Sequence, residues 1–240
     1  MLQSILVECA KLKRSLALLL CAAAPTMVAL LSVVILLDRK DPLDWSMFAT
    51  STAAIWAFFM LPMTVTALTV LMAQLEHGAR SWNHLLALPI GRWRHHAAKA
   101  VVVVLLVAAM NVALWLMLPL AGLLVDALKP GQLLGDFDWQ ASLSLLGRML
   151  GSAVLLIGLQ LWVALRFRSF VPPLVLGIGG TFVAVVATGS KQGLWFPWLM
   201  PTNMLAADSA RAQLALAIGL GGGLLVLLVM VVDLARKEYA

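Results

Sequence analysis

Six long apolar runs constrain what this chain of 240 residues can fold into. As helices that rise ~1.5 Å per residue, each would reach roughly 28 Å or more, close to the ~30 Å hydrocarbon core of a bilayer. Charged residues form only 12% of the chain, whereas soluble domains carry about 25%. The pattern predicts an all-α integral membrane protein with six transmembrane helices. The predicted spans are residues 16–37, 47–75, 100–125, 141–165, 170–188 and 213–232.

The distribution of basic residues predicts the sidedness of these spans. With the N-terminus inside, 11 of the 17 lysines and arginines fall in inner segments, 5 fall in outer segments, and Arg148 lies within a span. Basic residues concentrate on the cytoplasmic side of membrane proteins. We therefore expect both termini in the cytoplasm and residues 76–99 as the main cytoplasmic loop. The inner basic residues are Lys11, Lys13, Arg14, Arg80, Arg92, Arg94, Lys99, Arg166, Arg168, Arg236 and Lys237.

The first 15 residues are too short and polar to cross a bilayer, but their apolar side chains recur at helical spacing. This pattern predicts a helix lying in the inner membrane interface. A frayed cytoplasmic tail is the alternative. Because the apolar run at 16–37 is longer than the core of a signal peptide, we expect it to remain as the first span. The apolar positions are Leu2, Ile5, Leu6, Cys9 and Leu12.

The pattern of residues within the loop at 76–99 predicts a short amphipathic helix. Arg80 and His84 lie on one face, and Glu76 precedes the helix. A helix of this kind, parallel to the membrane, suits docking to a soluble partner, whereas a loop helix that lies on lipid is the alternative. The apolar face has the spacing i, i+3, i+4 and i+7 and comprises Trp82, Leu85, Leu86 and Pro89. The basic residues that suit an anionic inner leaflet are Arg92, Arg94 and Lys99.

Two further features lie towards the outer side. The outer hairpin at 189–212 holds Trp195 and Trp198, and such aromatic residues settle at membrane interfaces. We expect either a partly re-entrant hairpin or an ordinary interfacial loop. Arg148 lies a turn or two from the outer end of the fourth span, so we expect its side chain to snorkel to the headgroups. A contact inside a translocation path is the alternative.

The sequence contains no motif of a catalytic or metal site. The chain lacks the phosphate loop GxxxxGK[ST], the HExxH motif and the GxSxG elbow, so it cannot hydrolyse ATP by that route. The four histidines lie between residues 77 and 96, with Glu76 as a nearby carboxylate and no cysteine. We expect solvated interfacial histidines rather than a metal site. We expect no catalytic residue, cofactor or nucleic-acid partner for this chain.

Three segments resemble parts of ABC-2-type exporter permeases. The segment "EHGARSWNHLLALPIGRWRHHAAK", residues 76–99, looks like their cytoplasmic coupling loop, and "ECAKLKRS", residues 8–15, is similar to their N-terminal interfacial elbow. The segment "LQLWVALRFRSFVPPLVLGIGG", residues 159–180, resembles the permeases of lantibiotic-immunity and bacitracin-resistance exporters. The resemblance implies an elbow helix over residues 1–15 and a single six-helix transmembrane domain over residues 16–240.

The resemblance also implies a transporter of the bacterial plasma (inner) membrane. It would contain two ABC ATPase subunits, which bind ATP and Mg²⁺, and a second permease, identical or homologous. The coupling loop would convey closure of the ATPases to the spans, and the substrate would be an antimicrobial peptide or another amphipathic compound. Carried over residue by residue, the ATPase contact would comprise Glu76, Arg80, Trp82, Leu85, Leu86, Pro89, Glu8, Lys11, Lys13 and Arg14.

Two other functions fit the same apolar pattern. A permease that exports haem or another cofactor would have the same general shape, and a co-purifying chromophore would indicate it. A membrane-embedded enzyme belongs to a different class. It would turn over its substrate in the isolated chain, without an ATPase.

Overall fold

Long helices make up most of the chain in the computed structural model, which describes residues 2–13, 15–77 and 92–236. The helices are α1 Leu2–Leu12, α2 Leu16–Asp38, α3 Trp45–Ile55, α4 Leu61–His77, α5 Arg92–Leu128, α6 Trp139–Arg166, α7 Val171–Ala187, α8 Met200–Asn203, α9 Ser209–Ala217 and α10 Gly223–Arg236. Two π-helical turns, Trp56–Met60 and Ile218–Gly222, join α3 to α4 and α9 to α10.

Side-chain caps fix where two of these helices begin. Ser15 Oγ accepts a hydrogen bond from the backbone N–H of Leu18 at 3.4 Å, at the start of α2. The Asp138 carboxylate accepts one from the N–H of Ala141 at 2.8 Å, at the start of α6. Such caps satisfy donors that the first helical turn leaves unpaired. Ser15 therefore marks the end of the short N-terminal helix and the start of the first long one.

Five helical segments of the described chain are long and apolar enough to cross a membrane. The sixth apolar run forms α7, a helix of only 17 residues. α5 begins at Arg92, so this helix extends eight residues before the expected start of the third span at residue 100. Residues 92–99 are thus helix rather than loop. The five segments are Leu16–Asp38, Trp45–Leu75, Trp93–Leu128, Trp139–Arg166 and Ser209–Arg236.

α6 and the joined helix α9–α10 pack side by side and run in the same direction. Ser152 lies against Gly219, and further along both helices Trp162 Nε1 donates to Asp233 at 3.0 Å. A Cβ on Gly219 would lie 2.3 Å from the Ser152 carbonyl oxygen, and one on Gly223 would also meet backbone of α6. These glycines therefore let two helix backbones touch. Because the directions match, residues 167–208 must return the chain across the bundle, and α7 is the longest helix there.

One end of the bundle, the termini face, holds α1 and the C-terminal end of α10. The other end, the opposite face, holds the loops after α2 and α5, which are tied together. Strands β1 (Leu43–Asp44) and β2 (Leu133–Leu134) pair in parallel. Gln132 Nε2 donates to the carbonyl oxygen of Asp41 at 2.9 Å, and Lys129 Nζ donates to that of Arg39.

The expected outer hairpin also lies at the opposite face. It forms two 3₁₀ turns, Lys191–Trp195 and Pro197–Leu199, followed by α8. Trp198 is buried and stacks on Phe196 with 5.3 Å between ring centroids. A Cβ on Gly180 of α7 would lie 2.3 Å from the Trp198 indole. The hairpin therefore packs against the bundle, and its entry into a membrane stays a prediction.

Candidate functional site

The termini face carries a cluster of charges formed by Glu8, Lys11 and Lys99. Glu8 Oε2 lies 2.5 Å from Lys99 Nζ, and Glu8 Oε1 lies 2.6 Å from Lys11 Nζ. Glu8 is only 2% exposed and Lys99 only 1%, whereas Lys11 is partly exposed. One carboxylate therefore bridges two ammonium groups, and the bond to Lys99 ties α1 to the first turns of α5.

The spacing of residues along α1 places Glu8 in this position. Ile5, Glu8 and Leu12 fall at i, i+3 and i+7, and all three lie on the face that packs inward. Leu6 and Val7 are exposed on the other side. An acid within an inward-facing apolar stripe needs a hydrogen-bonded cation, because burial of an unpaired charge is very unfavourable. Lys99 of α5 supplies that cation.

The electrostatics of the cluster keep Glu8 ionised. Burial raises the pKa of the Glu8 carboxyl, since it removes the charge from water. The charge of Lys99, the hydrogen bonds from Lys11 and Lys99, and the charge of Lys11 together lower the pKa by more. The net pKa lies below the ordinary glutamate value of 4.5. At neutral pH the cluster therefore consists of one carboxylate between two cations.

Two expectations for the start of α5 are wrong. Lys99 was expected to face anionic lipid, but it is buried against Glu8. His96 was expected to be solvated, but it is 2% exposed. The physical reason is that α1 packs on the first turns of α5 and covers one face of them. Among the described residues, no group of three or more histidine, cysteine, aspartate or glutamate side chains could hold a metal ion.

The structure describes three of the residues predicted to contact an ATPase. Glu8 and Lys11 are brought together, and Lys13 is exposed just beyond α1. The loop 78–91 joins α4 to α5, so both of its ends belong to the termini face. The ATPase contact itself stays a prediction. The predicted contact residues outside the described part are Arg14, Arg80, Trp82, Leu85, Leu86, Pro89 and the side chain of Glu76.

Arg148 lies nine residues into α6, which is about 14 Å from Trp139 at the start of the helix. Its side chain is half-buried. Within residues 2–13, 15–77 and 92–236, no carboxylate forms an ion pair with it. This position is compatible with a guanidinium that reaches the headgroups. Both the snorkelling and the translocation-path interpretations stay predictions.

Inside the bundle, Gln160 of α6 connects three helices. Its Nε2 donates to Thr66 Oγ1 of α4 at 2.7 Å and to the carbonyl oxygen of Pro173 in α7 at 3.3 Å. Its Oε1 is buried and has no hydrogen-bond donor among the described residues. A Cβ on Gly177 would lie 2.1 Å from Thr66 Oγ1. The glycine therefore lets α7 approach close enough for this polar contact.

Sequence reasoning singled out Arg148 but missed three other polar residues that join helices. They are Gln160, Asp233 and Asn111, whose Oδ1 accepts from Trp56 Nε1 at 3.2 Å. The signal was present, because a polar side chain within an apolar run must find a partner in the protein interior. The sequence alone does not reveal which helix provides that partner.

The comparison with protein families decides the class of this protein. The family model described as "ABC-2 family transporter protein" matches residues 4–184, which is 181 of the 240 residues. The chain belongs to the ABC-2 transporter family. No curated protein matches it. ABC-2 permeases are the membrane subunits of transporters, not enzymes themselves, and normally work with ABC ATPase subunits.

The matched region of this ABC-2 permease begins in α1 and ends in α7. It therefore includes the charge cluster, the loop 78–91 and the Gln160 contact, whereas α8, α9 and α10 lie beyond it. The family and the five long apolar helices together indicate a multi-pass membrane protein. The site described at the termini face is thus a structural link within a transport subunit rather than a catalytic centre.

Proposed function

We propose that this ABC-2 permease exports an amphipathic compound, such as an antimicrobial peptide, using ATP hydrolysed on a separate ABC ATPase subunit. The ATPase docks at the termini face through the loop that contains Trp82 and through the edge of α1. Assignment to the lantibiotic-immunity and bacitracin-resistance branch rests on the resemblance of residues 159–180. A second permease, identical or homologous, completes the transporter.

The observation that carries this proposal is the buried link between α1 and α5. The Glu8–Lys99 contact is 2.5 Å long and almost completely shielded from solvent. A short interfacial helix attached only by apolar contacts could slide, but a buried ion pair sets its register on α5. A displacement of the loop 78–91 by the ATPase would act on the N-terminal end of α5, seven residues before Lys99. In this proposal, a displacement of the loop is transmitted to α1 and α5 together.

Six membrane crossings with both termini in the cytoplasm belong to the same proposal. The parallel directions of α6 and α9–α10 support a crossing by α7, whose 17 residues would span about 26 Å. That length is at the lower end of the range for a transmembrane helix. The excess of basic residues at the termini face supports the cytoplasmic assignment of that face. Cysteine labelling from outside intact cells should modify positions near Asp41 and not near Arg92.

An amphipathic substrate suits the character of the described helices. Their interior is apolar, and the buried Gln160 Oε1 has no hydrogen-bond donor among the described residues. An amide oxygen of this kind can accept a hydrogen bond from a polar part of a substrate without the desolvation of many charges. No buried carboxylate relay is present in the described spans, so the energy source that fits is an attached ATPase rather than a proton gradient.

The test of this proposal is co-purification of the ATPase with tagged permease variants at matched membrane expression. Trp82→Ala should weaken ATPase binding, because tryptophan is the residue type most enriched at interface hot spots. Glu76→Lys should also weaken it, through repulsion of a basic group on the ATPase. His84→Ala is the matched control in the same loop, on the other predicted face. Full ATPase binding and ATP turnover in both Glu76→Lys and Trp82→Ala would show that the docking assignment is wrong.

A further inference from the structure

An apolar groove runs along the outside of the bundle between α5 and α10, starting at the termini face. Its volume is about 540 Å³, within the ~300–1,000 Å³ range of ligand sites. Only carbon-rich side chains line it, and Val154 of α6 lies within it. The lining residues are Trp93, Ala97, Ala100, Val101, Val104, Leu105, Val154, Leu220, Leu224, Leu227, Leu228, Val231 and Val232.

The length of the groove matches one leaflet of a bilayer. From Trp93 to Leu105, α5 rises about 18 Å, and α10 with its π-helical turn covers the same distance from Leu220 to Val232. Half of a ~30 Å hydrocarbon core is about 15 Å. The small side chains of Ala97 and Ala100 provide depth on the α5 side. The groove thus has the dimensions of an extended acyl chain that reaches from the interface to the middle of the bilayer.

Positive charge is concentrated at the interfacial end of the groove. The Arg94 guanidinium carbon lies 5.6 Å from the centre of the Trp93 ring, which is itself part of the lining. Arg236 is exposed one helical turn beyond Val232. Among the described carboxylates, Glu8 is bound to Lys11 and Lys99, and Asp233 accepts from Trp162 and faces Arg166. Neither acid is paired with Arg94 or Arg236.

We propose that this groove binds one anionic phospholipid of the leaflet at the termini face. An acyl chain occupies the channel between α5 and α10, and the phosphate lies between Arg94 and Arg236. Trp93 lies at the interface, where its apolar ring contacts the chain and its polar edge contacts the headgroup region. Clusters of basic residues between helices at this depth bind anionic headgroups. The site would make the permease sensitive to the content of anionic lipid, independently of the substrate that it exports.

The experiment measures quenching of Trp93 fluorescence by lipids with brominated acyl chains. The full chain is reconstituted into phosphatidylcholine vesicles that contain either brominated phosphatidylglycerol or brominated phosphatidylcholine at the same mole fraction. The signal of Trp93 is the difference between the wild-type chain and Trp93→Phe. The anionic lipid should quench at concentrations about fivefold lower for each arginine that contacts the phosphate. High salt should reduce this preference.

Variants separate the headgroup from the acyl chain. The double variant Arg94→Gln/Arg236→Gln should lose the preference for phosphatidylglycerol, whereas Lys40→Gln at the opposite face should keep it. Val101→Phe should fill the groove and reduce quenching by both lipids, whereas Leu123→Phe, on an exposed part of α5 outside the groove, should not. Thermal unfolding of each variant checks that it has folded.

Two outcomes would overturn the proposal. Equal quenching by the anionic and the zwitterionic lipid would show that only ordinary annular lipid contacts the groove. Absence of quenching by either lipid, together with cross-linking of cysteines introduced at Leu224 between two chains, would show that a second copy covers the groove instead. Neither outcome bears on ATPase docking, which is measured separately.

Discussion

Breaking the Glu8–Lys99 ion pair should destabilise the protein, and removal of both partners should restore much of the loss. Glu8→Leu leaves the buried ammonium of Lys99 without the carboxylate that it contacts at 2.5 Å. Lys99→Met leaves Glu8 with Lys11 at 2.6 Å. We therefore expect both single substitutions to be destabilising, and the double variant Glu8→Leu/Lys99→Met to be closer to wild type.

The magnitude follows from distance and burial. At 2.5 Å, unit charges in a medium of effective dielectric constant ~20 attract by about 7 kcal/mol. Most of this attraction is offset by the desolvation of both groups. Removal of one partner from a buried pair is destabilising by about 3–5 kcal/mol, whereas replacement of both by apolar residues is often neutral. We therefore expect a loss of about 3–5 kcal/mol for Glu8→Leu, and no more than that for Lys99→Met, in which Lys11 still neutralises Glu8.

The assay is thermal unfolding of the detergent-solubilised permease, followed by tryptophan fluorescence and circular dichroism. About 1 kcal/mol shifts the Tm of a chain of this size by roughly 2–4 °C, so Glu8→Leu should lower it by about 10 °C. Lys13→Met is the matched control, because Lys13 is exposed and its change should lie within about 1–2 °C of wild type. If the two single effects simply add in the double variant, the two groups are not coupled and the reasoning from the buried contact is refuted.

Three further results are expected from the same measurements. The difference in the free energy of unfolding between wild type and Glu8→Leu should be fully present at neutral pH, because the folded pKa of Glu8 is lowered below 4.5. This difference should disappear as the pH falls through that lowered pKa. A difference that is unchanged at pH 3 would contradict this. Gly177→Ala should be destabilising by about 1–3 kcal/mol, since its Cβ would lie 2.1 Å from a threonine oxygen of α4, whereas Gly179→Ala meets open space and serves as its control. Gly219→Ala should separate α9–α10 from α6 and lower the Tm, while Gly221→Ala, which also meets open space, should not; equal effects within either pair would refute the close-packing explanation.

The long apolar helices could be predicted from the sequence because hydrophobic length is a local property. The expected spans 16–37 and 141–165 lie within helices Leu16–Asp38 and Trp139–Arg166. The helical spacing in residues 2–12 likewise predicted α1. The start of α5 was missed, because residues 92–99 are polar and resemble a loop when only their composition is considered.

The buried cluster could not be predicted, because it depends on which elements meet. Lys99 and His96 have the composition of an exposed basic segment, but both are buried in the folded protein, where α1 packs against α5. The contacts of Gln160 could not be predicted from its sequence neighbours either, since its partners lie 94 residues earlier in α4 and 13 residues later in α7. Apolar periodicity identifies the inward face of a helix, but the partner of a polar side chain on that face depends on tertiary packing.

The length of α5 explains why a fully buried charge pair can exist in so apolar a protein. Its 37 residues extend about 55 Å, which exceeds the ~30 Å hydrocarbon core by some 25 Å. The first turns, up to Lys99, are therefore free to lie at the level of the headgroups, where α1 rather than lipid covers them. Cover by α1 removes water without placing the charges in hydrocarbon, so that Glu8 can remain ionised beside Lys99. The same arrangement places a helix supported by α1 directly after residues 78–91, with Lys99 two helical turns from the N-terminal end of that helix.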